Sequence, residues 1–328
     1  MTMQNFTYVS AKSLKEAFKY LSADDARIHA GGTDLLGCLR DSVFATAKVV
    51  SISHLDELKG IQRLKNGTLR IGALTTIAEL ANYEIIKGSY PAVAQAALQV
   101  ASPQLRNQGT LGGNLCQKPR CWYYRGDFHC TRKGGSQCYA FMGESQYHCI
   151  LGGKGCYIVH PSDIAPALMA YGASIEIAGV KGTREVSIDR FFTPPAQDIK
   201  RETVLESGEI LTAVLLPPAE QGLQSSYRKV RARNSWDFAL AGAALALRFK
   251  DGRVSSARII LSGAAPMPWR CFDSEKIITG QSLDEGTIHQ AAEAAMKQAR
   301  PLKNNEYKIE LFKGLIAEEL VAHKQRLN

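Results

Sequence analysis

The sequence predicts an α+β fold in two parts, a large N-terminal region ending near residue 218 and a smaller domain of sheet plus helices from about 223. Three observations carry this. Strand-like and helix-like segments alternate to about Val100 and again after Asp163. Pro217-Pro218 through Gly222 has linker composition. Beyond it, two apolar runs flank Asp251-Gly252, a strong hairpin signal, and two helical patterns close the chain. At 328 residues the chain is long enough for two domains.

In order, Met1–Ser10 reads as a short strand on Phe6 and Tyr8 that leads into a turn. The stretch from Lys12 to Leu21 reads as a helix, with Leu14, Phe18 and Leu21 on one face and Ser13 and Glu16 as a capping box. Arg27–Ala30 runs as a strand into Gly31-Gly32, and Val49–Ile52 and Leu69–Ala73 are further strands. Thr75 or Thr76 caps a helix carrying Ile77 and Leu80, and Pro91–Val100 is an alanine-rich helix. From Ser102 to Val159 no helical or strand period persists, and loops of that length are usually functional. A helix over Ile164–Tyr171 follows, then strands at Ser174–Ala178, Glu185–Ile188 and Ile210–Leu216. The hairpin pairs Ala243–Phe249 with Val254–Leu261, and the closing helices span Thr287–Ala299 and Glu306–His323.

Composition narrows the function. Hydrophobic residues make up 45% and charged residues 22%, as in ordinary globular proteins. No apolar run is long enough to span a membrane and no signal peptide is evident, so the expectation is a cytoplasmic protein without a membrane partner. Export alongside a signal-bearing partner stays open. The net charge is +9, but the basic residues are interspersed with acids. The one dense run, Arg228, Lys229, Arg231 and Arg233, reads as a solvated face or an anion site, and no nucleic-acid partner is expected.

Two glycine loops stand out, Ala30-Gly31-Gly32-Thr33-Asp34 and Gln108-Gly109-Thr110-Leu111-Gly112-Gly113-Asn114. Paired glycines let backbone N–H groups approach a ligand, and successive N–H groups form a concave anion nest. Neither loop is the Rossmann or the Walker pattern. Taken singly each is a structural turn; as a pair they could clasp the two phosphates of a dinucleotide from opposite sides.

Six of the eight cysteines fall within one segment: Cys116, Cys121, Cys130, Cys138, Cys149 and Cys156. Thiolates are the soft ligands of zinc and iron–sulfur sites. The gaps of 4, 8, 7, 10 and 6 residues contain no C-x-x-C pair and match no standard ferredoxin run, so spacing indicates a metal site of open identity. Cys38 and Cys271 are isolated and read as buried thiols.

The segments Ala30–Leu36, Leu69–Thr75, Ser102–Leu115 and His160–Asp163, with Gly208-Glu209-Ile210 and Tyr227-Arg228-Lys229, resemble in order the flavoprotein subunits of the xanthine dehydrogenase, or molybdenum hydroxylase, family. The resemblance covers essentially the whole chain. It implies a two-part FAD-binding domain of the vanillyl-alcohol-oxidase type over residues 1–218, and a small α+β domain of the CO dehydrogenase flavoprotein type over 223–328. The FAD pyrophosphate then lies between Gly31, Gly32, Thr33 and Asp34 on one side and Thr110, Gly112, Gly113 and Asn114 on the other. Ile28, His29, Ala30 and Leu35 flank the first loop; Thr75, Arg106, Gln108 and Gly109 flank the second. Asp163 contacts the ribityl and adenosine portion, and Ile210 and Lys229 lie near the flavin ring. By composition alone Lys229 would be a surface lysine.

A subset of these subunits, in 4-hydroxybenzoyl-CoA reductases and periplasmic aldehyde oxidoreductases, carries a cysteine insertion around a [4Fe–4S] cluster. The segment of about 116–157 resembles it, which implies Cys121, Cys130, Cys138 and Cys156 as ligands, Cys149 as the reserve and Cys116 as a packed thiol. Trp122, Tyr123 and Tyr124 are expected to shield the cluster from water. Implied partners are a molybdenum–pterin subunit and a [2Fe–2S] subunit, with FAD exchanging electrons with an outside carrier such as ferredoxin. No nucleophile–base pair with a convincing context is found, and no catalytic residue is assigned. Two rival readings are a stand-alone flavin oxidoreductase of the vanillyl-alcohol-oxidase type, which needs a larger substrate domain, and a non-enzymatic iron–sulfur scaffold, for which the glycine loops would be superfluous.

Overall fold

The structure, a computed structural model, describes residues 3–22, 25–234 and 236–327; Met1 and Thr2 of the expected N-terminal strand lie outside it. Its strands form three sheets. In the first, β1 (Thr7–Ser10), β2 (Ala26–His29) and β3 (Lys48–Ser51) run parallel in the order β1-β3-β2. Parallel neighbours need crossovers, supplied here by the helices Leu14–Leu21 and Leu35–Arg40. Ser13 caps the former through Glu16 N, but Glu16 reaches back to Lys12 N at 2.8 Å rather than to Ser13, so the expected box closes one residue early.

The second sheet is antiparallel. It takes β4 (Ile61–Arg63), β5 (Leu69–Gly72), β6 (Ser174–Gly179), β7 (Gly182–Ser187) and β8 (Ile210–Leu216) in the order β4-β5-β8-β6-β7. The helices Ile77–Asn82, Pro91–Gln99 and Ile164–Ala170 share its apolar core. Thr76, not Thr75, caps the first of them, in a full capping box with Glu79. Leu74 and Ile210 pack with the first sheet's core, so the two sheets meet where the first glycine loop leaves β2. The segment without a readable period holds three short α-helices, Pro103–Gln108, Leu111–Leu115 and Trp122–Arg125.

The third sheet has β9 (Leu223–Val230), β10 (Ala241–Lys250), β11 (Arg253–Ser262) and β12 (Trp269–Arg270) in the order β12-β11-β10-β9. Asp251 (φ 49°) and Gly252 (φ 72°) make the expected tight turn. Strand alternation gives β10 two buried faces. Ala243, Leu245 and Leu247 point into a core with the helices Glu285–Met296 and Tyr307–Gln325, while Ala244 and Ala246 join the core of the second sheet. Each of the two leucines, fully buried, contributes about 1.5–3 kcal/mol. This two-sided packing holds β9 against the preceding region. β9 was not foreseen, and its alternation resolves the basic run: Arg228 points outward to Glu318 at 2.6 Å, while the Lys229 side chain is 1% exposed.

Candidate functional site

A cavity of about 1000 Å³ opens between the first two sheets and the end of β9, and both glycine loops line it. The first loop follows β2 and turns on Gly32 at φ +73°. Gly31 is forced by contact between the loops, because a Cβ there would stand 2.0 Å from the Gln108 carbonyl oxygen. Among the described residues, no carbonyl or side chain accepts from the N–H groups of Gly32, Thr33, Asp34 and Leu35. Four consecutive unspent donors at the start of a helix are an anion nest.

The second loop differs. Its N–H groups are spent on its own architecture: Leu111 N donates to Thr75 O at 2.9 Å, Gly112 N to Ala73 O at 2.8 Å, and Gly113 N to the capping Thr110 at 3.3 Å. A Cβ at Gly112 would meet the Ala73 Cβ at 2.9 Å. This loop therefore offers the cavity a close backbone surface and the Thr110 and Asn114 side chains, not the second nest expected from sequence.

The other expected residues divide. Ile28, Ala30, Leu35, Gly109, Asp163, Ile210 and Lys229 line the same cavity. His29, Thr75, Arg106 and Gln108 stand behind it. Thr75 donates to Gly60 O at 3.1 Å, Arg106 to Val100 O at 2.8 Å, and the His29 ring packs edge-on against Tyr8 at 6.0 Å. Asp34 faces the cavity, but its carboxylate accepts from Lys118 N at 2.8 Å and pairs with Arg125 at 2.7 Å and Arg120 at 2.9 Å. It thus ties the first loop to the cysteine segment. Deeper in, Asp163 accepts from Lys229 Nζ at 2.8 Å and from the Tyr227 hydroxyl at 2.7 Å, and Lys229 also donates to Gln99 O at 3.1 Å. Burial pushes the Asp163 carboxyl up against the opposing pull of the Lys229 ammonium.

Cys121, Cys130, Cys138 and Cys156 line one small void together with Tyr123, Tyr124, Arg132 and His148. The Cys121 thiol faces the backbone N–H groups of Tyr123 and Tyr124, and the Cys156 thiol faces that of Ile158 and the Arg132 guanidinium. His148 Nε2 lies 3.2 Å from Cys121 Sγ. Two buried polar atoms on side chains lining this void, Arg132 Nε and His148 Nδ1, have no protein partner. Burial pushes the Cys121 thiol up to about 12 and the His148 ring down to about 4. Among the described residues, no three Cys, His, Asp or Glu side chains converge on one point as a single ion requires. Cys149 is buried outside the void, Cys116 lines the large cavity, and Trp122 turns outward at 43% exposure, unlike Tyr124. The C-terminal domain clamps this segment: Asn305 Nδ2 donates to His148 O at 3.1 Å, and buried Lys308 Nζ donates to His148 O at 3.1 Å and Gly263 O at 2.8 Å.

Sequence reasoning missed Lys118, Arg120, Arg132, His148 and Glu202. The signal for Lys118 and Arg120 was their place between two cysteines of the cluster; Glu202 carried none. A Ser226–His323–Glu319 constellation has the residue types of a hydrolytic triad, with Ser226 Oγ 2.9 Å from His323 Nε2 and 2.5 Å from Glu319 Oε2. His323 is fully buried and Ser226 is 3% exposed, so the group is a structural network beneath the last helix. No helix among the described residues is long and apolar enough to cross a membrane.

Comparison with known proteins agrees with this geometry. The family described as FAD binding domain in molybdopterin dehydrogenase matches residues 4–219, and that described as CO dehydrogenase flavoprotein C-terminal domain matches 198–321. The chain is 35% identical over 325 residues to the aldehyde oxidoreductase FAD-binding subunit PaoB of Escherichia coli K12, covering 97% of this chain and 98% of that one. It is 28% identical over 307 residues to the carbon monoxide dehydrogenase medium chain of Hydrogenophaga pseudoflava, covering 93% and 90%. Among solved structures, carbon monoxide dehydrogenase from that organism, lacking the Mo-pyranopterin moiety, superposes with a TM-score of 0.77 at 26% identity, covering 97% of this chain and 96% of that one. Quinoline 2-oxidoreductase from Pseudomonas putida 86 gives 0.77 at 26% identity, covering 99% of both.

Proposed function

Because this chain belongs to the family of FAD-binding medium subunits of the molybdenum hydroxylases, we propose that it is the flavin-carrying, electron-transferring oxidoreductase subunit of such a complex, and that its cysteine segment holds a [4Fe–4S] cluster. The observation that carries the flavin reading is the run of four unspent N–H groups from Gly32 to Leu35, set across one cavity from the Gly112-Gly113 surface. In this reading that nest takes the pyrophosphate, with Thr110 and Asn114 opposite. Ile210 and the Lys229–Asp163 pair border the isoalloxazine and ribityl parts, and residues 1–218 form the FAD-binding domain. When bound, the flavin supplies the exchange of electron pairs with an outside carrier and of single electrons with iron–sulfur centres.

The chain's own residues bind and orient. Lys229, with a side chain 1% exposed, stands beside the cavity, and Asp163 with Gln99 O fixes where it points. Cys121, Cys130, Cys138 and Cys156 line one void, and four thiolates are the donor set that a cuboidal cluster takes. The unpartnered Arg132 Nε, His148 Nε2 beside Cys121 Sγ, and the N–H groups facing Cys121 and Cys156 are the donors that sulfur ligands accept. The substrate chemistry then belongs to a molybdenum subunit, with a [2Fe–2S] subunit between it and this chain.

Purification of the tagged chain from its own cells tests the subunit reading. The expected product is a complex with a molybdenum subunit and an iron–sulfur subunit, and one non-covalent FAD on this chain. A chain that purifies alone with its flavin, and oxidises a substrate unaided, refutes it in favour of a stand-alone oxidase.

A further inference from the structure

The wall between the large cavity and the cysteine void is made of charged side chains, and it is unbalanced. Four cations, Lys118, Arg120, Arg125 and Arg132, face two anions, Asp34 and Glu202. Arg132 is the member on the cysteine side. Its side chain is 2% exposed, it lies against the Cys156 thiol, and its guanidinium sits 5.9 Å over the Tyr124 ring. One nitrogen donates to Ile199 O at 2.6 Å, another is bound by Glu202, and Nε has no partner. The other oxygen of Glu202 holds Lys118 Nζ at 2.5 Å. Arg132 is thus gripped from two sides with its Nε donor left free in the buried wall.

We propose that Arg132 is a positioning residue that sets the reduction potential of the cysteine-held cluster, with Glu202 fixing the guanidinium against Cys156 and moderating its charge. The inference rests on the [4Fe–4S] reading above. A four-thiolate cluster that accepts one electron gains one negative charge, and no bond or proton need move. A guanidinium fixed beside one thiolate, in a place that water does not screen, stabilises the more negative state and so raises the potential. Arginine suits the task because it stays protonated and its planar fork can hold a carboxylate and a carbonyl while still facing sulfur. Glu202 contributes the opposite sign from outside the void, so removing its charge leaves Arg132 and Lys118 uncompensated.

The test is a potentiometric EPR titration of the anaerobically purified complex, as wild type, Arg132→Met, Arg132→Lys and Glu202→Gln. At unchanged iron content, Arg132→Met is expected to lower the cluster midpoint at least tenfold in the one-electron equilibrium, about 59 mV. Arg132→Lys is expected to recover part of the shift, and Glu202→Gln to move the midpoint upward. An unchanged or higher midpoint in Arg132→Met at full iron content overturns the inference. Should Arg132→Met lose its iron, Glu202→Gln decides, and an unchanged or lower midpoint there overturns it. Wild-type complex without iron instead sinks the cluster reading itself, so the two failures are distinguishable.

Discussion

Substituting alanine at Gly31 attacks the point where the two glycine loops touch. The new Cβ would stand 2.0 Å from the Gln108 carbonyl oxygen and 2.9 Å from its carbon, both backbone atoms that no side-chain rotation can clear. Ordinary contact needs more than 3 Å, so the loops must part by over an ångström. Overpacking of this kind costs about 1–3 kcal/mol, and a backbone clash belongs at the upper end. If the loops separate and the nest loses its register, the same energy appears as a loss of FAD affinity of about 5–150-fold. Gly37→Ala is the control. Its Cβ meets nothing within 4 Å inside the helix Leu35–Arg40, and alanine there is expected to stabilise by about 0.5–1 kcal/mol without touching the flavin. The assay is flavin-fluorescence titration of the apoprotein beside thermal unfolding of both variants. Wild-type FAD affinity in Gly31→Ala refutes the claim that the contact between the loops shapes the binding site.

Further expectations follow from the same geometry. Lys229→Met leaves the buried Asp163 carboxylate without its cation and is expected to cost about 3–5 kcal/mol in chemical denaturation; a loss under 1 kcal/mol contradicts the buried pairing. Cys138→Ser is expected to strip iron and Cys149→Ser to retain it, because only Cys138 lines the void; iron analysis of the two variants that gives the reverse reassigns the ligand set. Stability is expected to fall between pH 6.5 and 4. Burial pushes the His160 and His323 rings down to about 4, while the unfolded chain takes up these protons near 6.5, so in this window the unfolded state binds more protons. Each ring contributes up to about 3 kcal/mol that is complete above pH 6.5. A denaturation midpoint that is flat from pH 7 to 5 contradicts the buried neutral histidines.

Much of this molecule is legible where the information is local. β8 occupies Ile210–Leu216 as its mostly apolar run predicts, and Asp251-Gly252 turns as that pair requires. The glycine loops announce themselves because Gly32 takes a positive φ and a Cβ has no room at Gly31 or Gly112. What sequence does not show is which donors a fold has already spent. The N–H groups of Leu111 and Gly112 look as available as those of Gly32 and Thr33, but Thr75 and Ala73 carbonyls far back in the chain consume them. The charged wall is hidden for the same reason: Lys118 and Glu202 are 84 residues apart, and no pattern links them. β9 was unreadable because Gln224, Ser225 and Ser226 blur its alternation, and its lysine is buried by a partner strand and a carboxylate from elsewhere.

In the proposed reading one chain carries both a flavin and an iron–sulfur centre. Its most direct test is quantitation of FAD, iron and sulfide in anaerobically purified protein, with EPR after dithionite reduction. The expected result is one non-covalent FAD and about four irons per chain, with a reduced-cluster signal. Flavin without iron contradicts the assignment of the four cysteines, and the absence of both from fresh anaerobic protein contradicts the whole reading.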